Sequence, residues 1–232
     1  MLEATTFNMY LATYSDVVRD SGSTHTKLAL TASCTAVVAI NSLSTDQDGI
    51  LIADCSAVFV AAASTTHPLT LTTNNALPAL SAAAVKHTLG PAVINGTATP
   101  GVKSASCDLG HNFVIDRSDG DLYPRVVSLP TGTPRMSIAH ADPQTLLSNL
   151  GLLGANLTSN FVQYFRRYDA TTAIAGTSNG VSLTVASGRI HPDAIQATQG
   201  SIAMDALTVI CLSSSTTHPI AVSLTATVPA AG

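Results

Sequence analysis

At 232 residues the chain is long enough for one large β domain or two small ones, and its 46% apolar content excludes a disordered segment. Its net charge of −4 argues against the basic face of a nucleic-acid binder. No apolar run approaches the roughly 18 residues that a membrane helix needs, and the opening Met-Leu-Glu-Ala-Thr-Thr lacks the basic and apolar regions of a secretory signal.

The shortage of charge is the most informative feature of the composition. Only 10% of residues are charged, against about a quarter in a typical domain. Glu3 is the single glutamate, and Lys27, Lys86 and Lys103 are the only lysines. Long hydrated side chains keep a free surface soluble and are depleted where a surface becomes an interface. Here Ser, Thr and Asn must supply the polar surface, which suits a subunit covered by neighbours.

Taken in chain order, period-2 alternation in Leu69-Thr70-Leu71-Thr72, Val181-Ser182-Leu183-Thr184-Val185 and Val222-Ser223-Leu224-Thr225 predicts strands with one buried face. Between strands stand Asp48-Gly49, Asn95-Gly96, Asp119-Gly120 and Asn179-Gly180, dipeptides that readily take the positive φ angles of tight turns. Antiparallel sheet follows. One helix is predicted over 142–154: Asp142 caps it, Pro143 suits its first turn, Leu146, Leu147, Leu150 and Leu153 form a stripe, and Gly151 or Gly154 ends it. A weaker helical segment runs from Leu80 to His87.

The chain also echoes itself. Ser64-Thr65-Thr66-His67-Pro68 returns as Ser215-Thr216-Thr217-His218-Pro219, an offset of 151 residues (215 − 64). At the same offset Asp54 matches Asp205, Val58 matches Val209, Leu71 matches Val222 and Pro78 matches Pro229. The reading is a strand, an STTHP turn and a second strand used once in each half, as a duplication or as two equivalent hairpins. This gives an N-terminal β half over 1–78, a junction over 79–110 rich in Ala, Gly, Pro and Thr, and a C-terminal β half over 111–232. The fold class is mainly β: an antiparallel sandwich or barrel with one short flanking helix and an internal strand-turn-strand repeat.

Candidate chemistry is sparse. There is no phosphate loop, GxSxG elbow or HExxH helix. The run from Asp116 to Asp121 lacks the ligand spacing of a calcium loop and reads as a polar turn. His67 and His218 read as hydrogen-bonding corners of a turn, and Asp54 and Asp205 as strand-end caps. In Tyr164-Phe165-Arg166-Arg167-Tyr168, the one basic-aromatic cluster, Tyr and Phe are expected inward and Arg at a subunit contact. Asn95 and Asn156 open glycosylation patterns that matter only after secretion. Cys34, Cys55, Cys107 and Cys211 have no zinc spacing and read as buried free thiols. No catalytic, cofactor-binding or metal residue is assigned.

Several stretches resemble a family. Asn95-Gly96-Thr97, Pro100-Gly101-Val102, Ser106-Cys107-Asp108, Asp119-Gly120-Asp121-Leu122-Tyr123-Pro124, the helix after Asp142, the strand from Val162 to Tyr168 and the closing block from Gly200 to Pro229 together resemble tail-tube-like subunits of tailed-phage virions. The resemblance covers roughly Asn95 to Pro229. It implies β-sandwiches that stack as rings around a DNA channel, in a virion whose subunits are made in the host cytoplasm. It also implies homo-oligomers, other virion proteins as partners, DNA only as non-specific cargo in a mildly acidic lumen, no membrane, no cofactor and no enzymatic activity. Two similar halves would let three subunits imitate a six-fold ring. A capsid or head-decoration protein shares the assembly logic. A carbohydrate-binding β-sandwich is a further alternative, against which the absence of Trp counts, and a hydrolase of scattered Ser, His and Asp has no motif to support it.

Overall fold

The computed structural model describes residues 2–11, 25–77, 85–99, 101–130, 132–141, 156–168, 180–192, 205–212 and 219–229. Those residues form strands and turns with no helix among them. The strands are β1 Leu2–Ala4, β2 Asn8–Leu11, β3 His25–Leu30, β4 Thr35–Asp46, β5 Ile52–Val60, β6 Leu69–Asn75, β7 Lys86–Ile94, β8 Thr97–Thr99, β9 Val102–Asp108, β10 Val114–Asp116, β11 Val126–Ser128, β12 Arg135–His140, β13 Phe161–Tyr168, β14 Gly180–Val185, β15 Gly188–Pro192, β16 Asp205–Cys211 and β17 Ile220–Ala226. The predicted helix over 142–154 lies outside the described residues. Of the weaker helical segment, 80–84 lie outside the described residues, and Lys86 and His87 instead open β7, held by ladder pairing with β13.

The chain divides into two compact units. Unit 1 holds 1–40, 55–84 and 111–131, and unit 2 holds 41–54, 85–110 and 132–232. Strands β4 and β5 pair with each other and run from one unit into the other. Unit 1 contains the sheet β2-β3-β6, the ribbon β10-β11, and β1 against the first part of β4. Unit 2 contains the five-stranded sheet β17-β14-β13-β7-β8 and a ladder running from the second part of β4 through β9, β12 and β16 to β15. Every pair whose register is defined is antiparallel.

The turns are where glycine-containing dipeptides require them. Asn95 and Gly96 take φ of 51° and 83° between β7 and β8, and Asp48 takes 65° between β4 and β5, the left-handed angles that short hairpin links need. Gly120, at 85°, turns the longer link between β10 and β11. Asn179 lies outside the described residues.

One pairing rule recurs three times: of four strands taken in chain order, with β8, β10 and β11 passed over in the second group, the first pairs with the fourth and the second with the third. It holds for β3-β4-β5-β6, for β7-β9-β12-β13 and for β14-β15-β16-β17. Each group is a hairpin folded over, so that its inner pair lies in one sheet and its outer pair in another. The second and third groups join in both sheets of unit 2, through β13·β14 and β12·β16.

The internal echo maps onto the first and third groups. Shifted by the repeat offset, β6 coincides with β17 and the end of β5 with β16. The echo is not a hairpin, however. β5 and β6 belong to different sheets, as do β16 and β17, so the linking turn carries the chain from sheet to sheet.

A shared defect strengthens the match. In β6, Thr73 and Asn74 stand between Thr72, opposite Lys27, and Asn75, opposite His25. In β17, Leu224 and Thr225 stand between Ser223, opposite Ser182, and Ala226, opposite Gly180. Both fourth strands therefore carry one extra residue, a β-bulge, at the same place in the repeat.

Unit 2 holds the large core. Leu183 and Val185 of β14, Phe161 and Phe165 of β13, Ile94 of β7, Met136 and Ile138 of β12, and Val209 of β16 are buried in one apolar cluster fed from both sheets. Alternation along β12 and β14 places these side chains on the inward face. A bulge in β7 sets Gly90 and Pro91 against Tyr164. Pro91 has no N–H to give the ladder, and such a proline is tolerated inside a sheet only at an irregularity of this kind. The fully buried Gln163 completes the site: its Nε2 donates to Gly90 O at 3.0 Å and to Tyr164 O at 2.8 Å. A side chain at Gly90 would place Cβ 2.6 Å from Tyr164 O, so the close approach requires glycine.

Candidate functional site

The repeated histidine forms a corner in its first copy. Leu69 N–H donates to His67 Nδ1 at 3.1 Å, which leaves the ring proton on Nε2. The ring meets Tyr123 edge-on, with centroids 4.9 Å apart. Around it Leu122 N–H donates to Ser64 O, Ala61 N–H to Pro124 O and Thr31 N–H to Pro68 O. This is the hydrogen-bonding corner expected of a Thr-Thr-His-Pro turn. The second turn, with His218, lies outside the described residues.

The loop from Asp116 to Asp121 is a turn closed on itself. Asp121 N–H donates to Ser118 O at 3.0 Å, and Asp121 Oδ2 accepts from Ser118 N–H at 3.2 Å. Among the described residues no group of three or more His, Cys, Asp or Glu is placed to hold a metal ion. Asp54 accepts from the Asn41 side chain at 3.2 Å rather than from backbone amides. The backbone of Asp205 pairs opposite His140.

The basic-aromatic strand differs from expectation. Phe165 is buried, but Tyr164 is half-buried and Tyr168 exposed, because alternation along β13 turns the tyrosines away from the face that carries Phe165. Arg166 Nη2 donates to Pro229 O at 3.3 Å, and burial lowers the guanidinium pKa from its usual value. Arg166 therefore ties down the end of its own chain, while Arg167 is exposed. Asn95 is likewise engaged, its Oδ1 accepting from Thr158 N–H at 3.0 Å and Ser159 N–H at 3.1 Å.

All four cysteines are free. Cys34, Cys107 and Cys211 are buried, but Cys55 is exposed, as are Ile52, Ala53 and Asp54 before it in β5. Burial, helped by neighbouring Cys211 and Asp108, pushes the Cys107 thiol up to about 12, and burial pushes Cys211 up to about 11. Both are inert apolar fillers at neutral pH.

The features that invite a partner are elsewhere. Strands β6 and β17 each end their sheet, and each exposes its five central residues. Leu71 is 61% exposed, and its repeat equivalent Val222 is 52% exposed, with Leu224 at 71%. Neither strand contains a charged residue or a proline, the usual guards of an open edge. Unit 1 adds exposed Met9, Leu11, Val114, Ile115, Leu122 and Val126. The alternation of Leu69-Thr70-Leu71-Thr72 marked these residues as strand but assigned them a buried face. Only the sheet order reveals an edge. The scarcity of lysine and glutamate was the signal that could have found it.

Comparison with protein-family models and with curated proteins finds no match for this sequence. Among the described residues no helix is long and apolar enough to cross a membrane.

Proposed function

We propose that the chain is a structural subunit that assembles with copies of itself, without enzymatic activity. The observation that carries this reading is the imbalance of unit 1. Among its described residues the buried apolar ones are Cys34, Ala36, Val37, Ala39 and Ala61, while Met9, Leu11, Leu71, Val114, Ile115 and Val126 are exposed. Exposed apolar surface on this scale, with almost no long charged side chains to keep it apart from other molecules, favours burial against a neighbour. In this reading the two sheets of unit 2 that share a core are the layers of a β-sandwich.

A virion is the setting that fits such a subunit, with a tail tube of stacked rings as the favoured assembly. A chain of net charge −4 would line a lumen that passes DNA without gripping its phosphates. A capsid or head-decoration shell is the alternative, and other virion proteins would then be its neighbours.

Sedimentation velocity at micromolar concentration and near-physiological salt, followed by negative-stain electron microscopy, tests this. Rings or tubes are expected; closed shells would select the alternative. A stable monomer at every concentration would overturn self-assembly.

A further inference from the structure

We infer that the contact between copies is a strand pair, β17 of one copy against β6 of the next; this rests on the self-assembly proposed above. Both strands are seven residues long, end their sheets, carry no charge and share one exposure pattern and one bulge position. Other sheet ends are blunted. β15 contains Arg189 and Pro192, β1 and β8 are three residues each with Glu3 in β1, and β5 carries Asp54. An edge strand pairs with whatever strand meets it, and short edges, charges and prolines are how chains prevent this. Among the described sheet ends, where β2 has four residues and β10 and β11 three each, only β6 and β17 combine length with the absence of every such guard.

The occupant follows from the repeat and from charge. Because β6 and β17 are equivalent, an antiparallel pair between them is two-fold-like locally, with the equivalent residues Leu71 and Val222 facing each other at the pseudo-axis. Setting Leu71 opposite Val222 also sets Leu69 opposite Leu224, Thr70 opposite Ser223 and Thr72 opposite Ala221. The leucines meet apolar partners, Thr70 meets the Ser223 hydroxyl, Thr72 meets the small Ala221, and no like charges oppose. A seven-residue edge covers well under the roughly 800 Å² per partner of a standard interface, so one such pair is too weak to hold an isolated dimer. Each chain, however, carries one β6 and one β17 and makes the contact twice. A contact between two different edges is head-to-tail, and it propagates into a ring or an open filament rather than closing as a dimer.

In a Cys55→Ser background, which removes the exposed native thiol, Leu71→Cys together with Val222→Cys should give a ladder of disulfide-linked multimers on mild oxidation. Either cysteine alone should give none. Independently, Leu71→Lys or Val222→Glu alone should weaken association by roughly tenfold, and the two combined should restore it by placing Lys opposite Glu. Circular dichroism matching the parent shows that each variant folds. If the parent assembles but the double-cysteine chain forms no ladder and the charge pair fails to rescue, the strand pair is wrong while self-assembly stands. Crosslinking by Val222→Cys alone, as a dimer, would replace it with a β17–β17 contact. A parent that stays monomeric overturns both.

Discussion

Unit 2 threads its strands first-with-fourth and second-with-third and closes them on Phe161, Phe165, Met136, Ile138 and Leu183. In the group β3 to β6, which follows the same order, the described buried apolar residues of unit 1 are three alanines, a valine and a cysteine. The difference separates two things that are often treated as one. Hydrogen-bond wiring and turn chemistry specify which strands meet, and they survive in both units. The volume of apolar side chain that leaves water decides how firmly they hold, at about 1.5–3 kcal/mol for a fully buried large residue and far less for alanine. Unit 1 keeps the plan of unit 2 and leaves much of its apolar surface outside.

Truncating unit 2 should give the largest effect. Phe165→Ala removes a fully buried ring and should cost about 3–5 kcal/mol in urea unfolding. Leu71→Ala in unit 1, measured on the unassembled chain, should stay within about 0.5 kcal/mol. Equal losses would erase the contrast between the units. Gln163→Leu comes next. It leaves Gly90 O and Tyr164 O without their donor inside the sheet, for about 1–3 kcal/mol. A neutral result would mean that water reaches the bulge.

Alkali should also act on unit 2 first. Cys107 keeps its proton in the fold until about pH 12, while an unfolded thiol ionises near 9.0. A raised pKa stabilises the fold fully below the unfolded value and loses that contribution as pH rises toward the folded one. Between pH 9 and 11 stability should therefore fall by at most about 1.4 kcal/mol per pH unit from this group, and Cys107→Ala should flatten the slope. An unchanged slope would place the alkaline sensitivity elsewhere. The smallest effect concerns motion. In the unassembled chain, amides of β3 and β6 should exchange faster than those of β13 and β14, and assembly should slow β6. Equal protection in both units before assembly would contradict the thin core of unit 1.

Much of the fold was legible where local chemistry decides it. Alternation located β6, β14 and β17, and Asp48-Gly49 and Asn95-Gly96 stand at the turns they announced. The repeat was visible as five identical residues, but its sheet-to-sheet path was not, because a turn sequence does not say whether the next strand pairs with the last one. Cys55 misled for a related reason. Its apolar surroundings predict burial only if something lies over β5. The bulge at Gly90-Pro91 and its dependence on Gln163 were hidden because the glutamine stands 73 residues from its acceptor. The division over 1–78 and 111–232 follows sequence order, whereas the compact units interleave segments.

The nested pairing also constrains the order of events as the chain leaves the ribosome. In each group the inner pair closes a shorter loop than the outer pair, and loop-closure entropy favours the shorter loop first. β15 and β16 can zip as soon as both emerge, whereas β14 must wait for β17, which follows both of them in the chain. Until then β14 can pair only with β13, and its other edge is open. Among the described sheets the five-stranded one is therefore completed last. A nascent chain stalled before Ile220 would expose the β14 edge to any passing strand, including one from a neighbouring nascent copy.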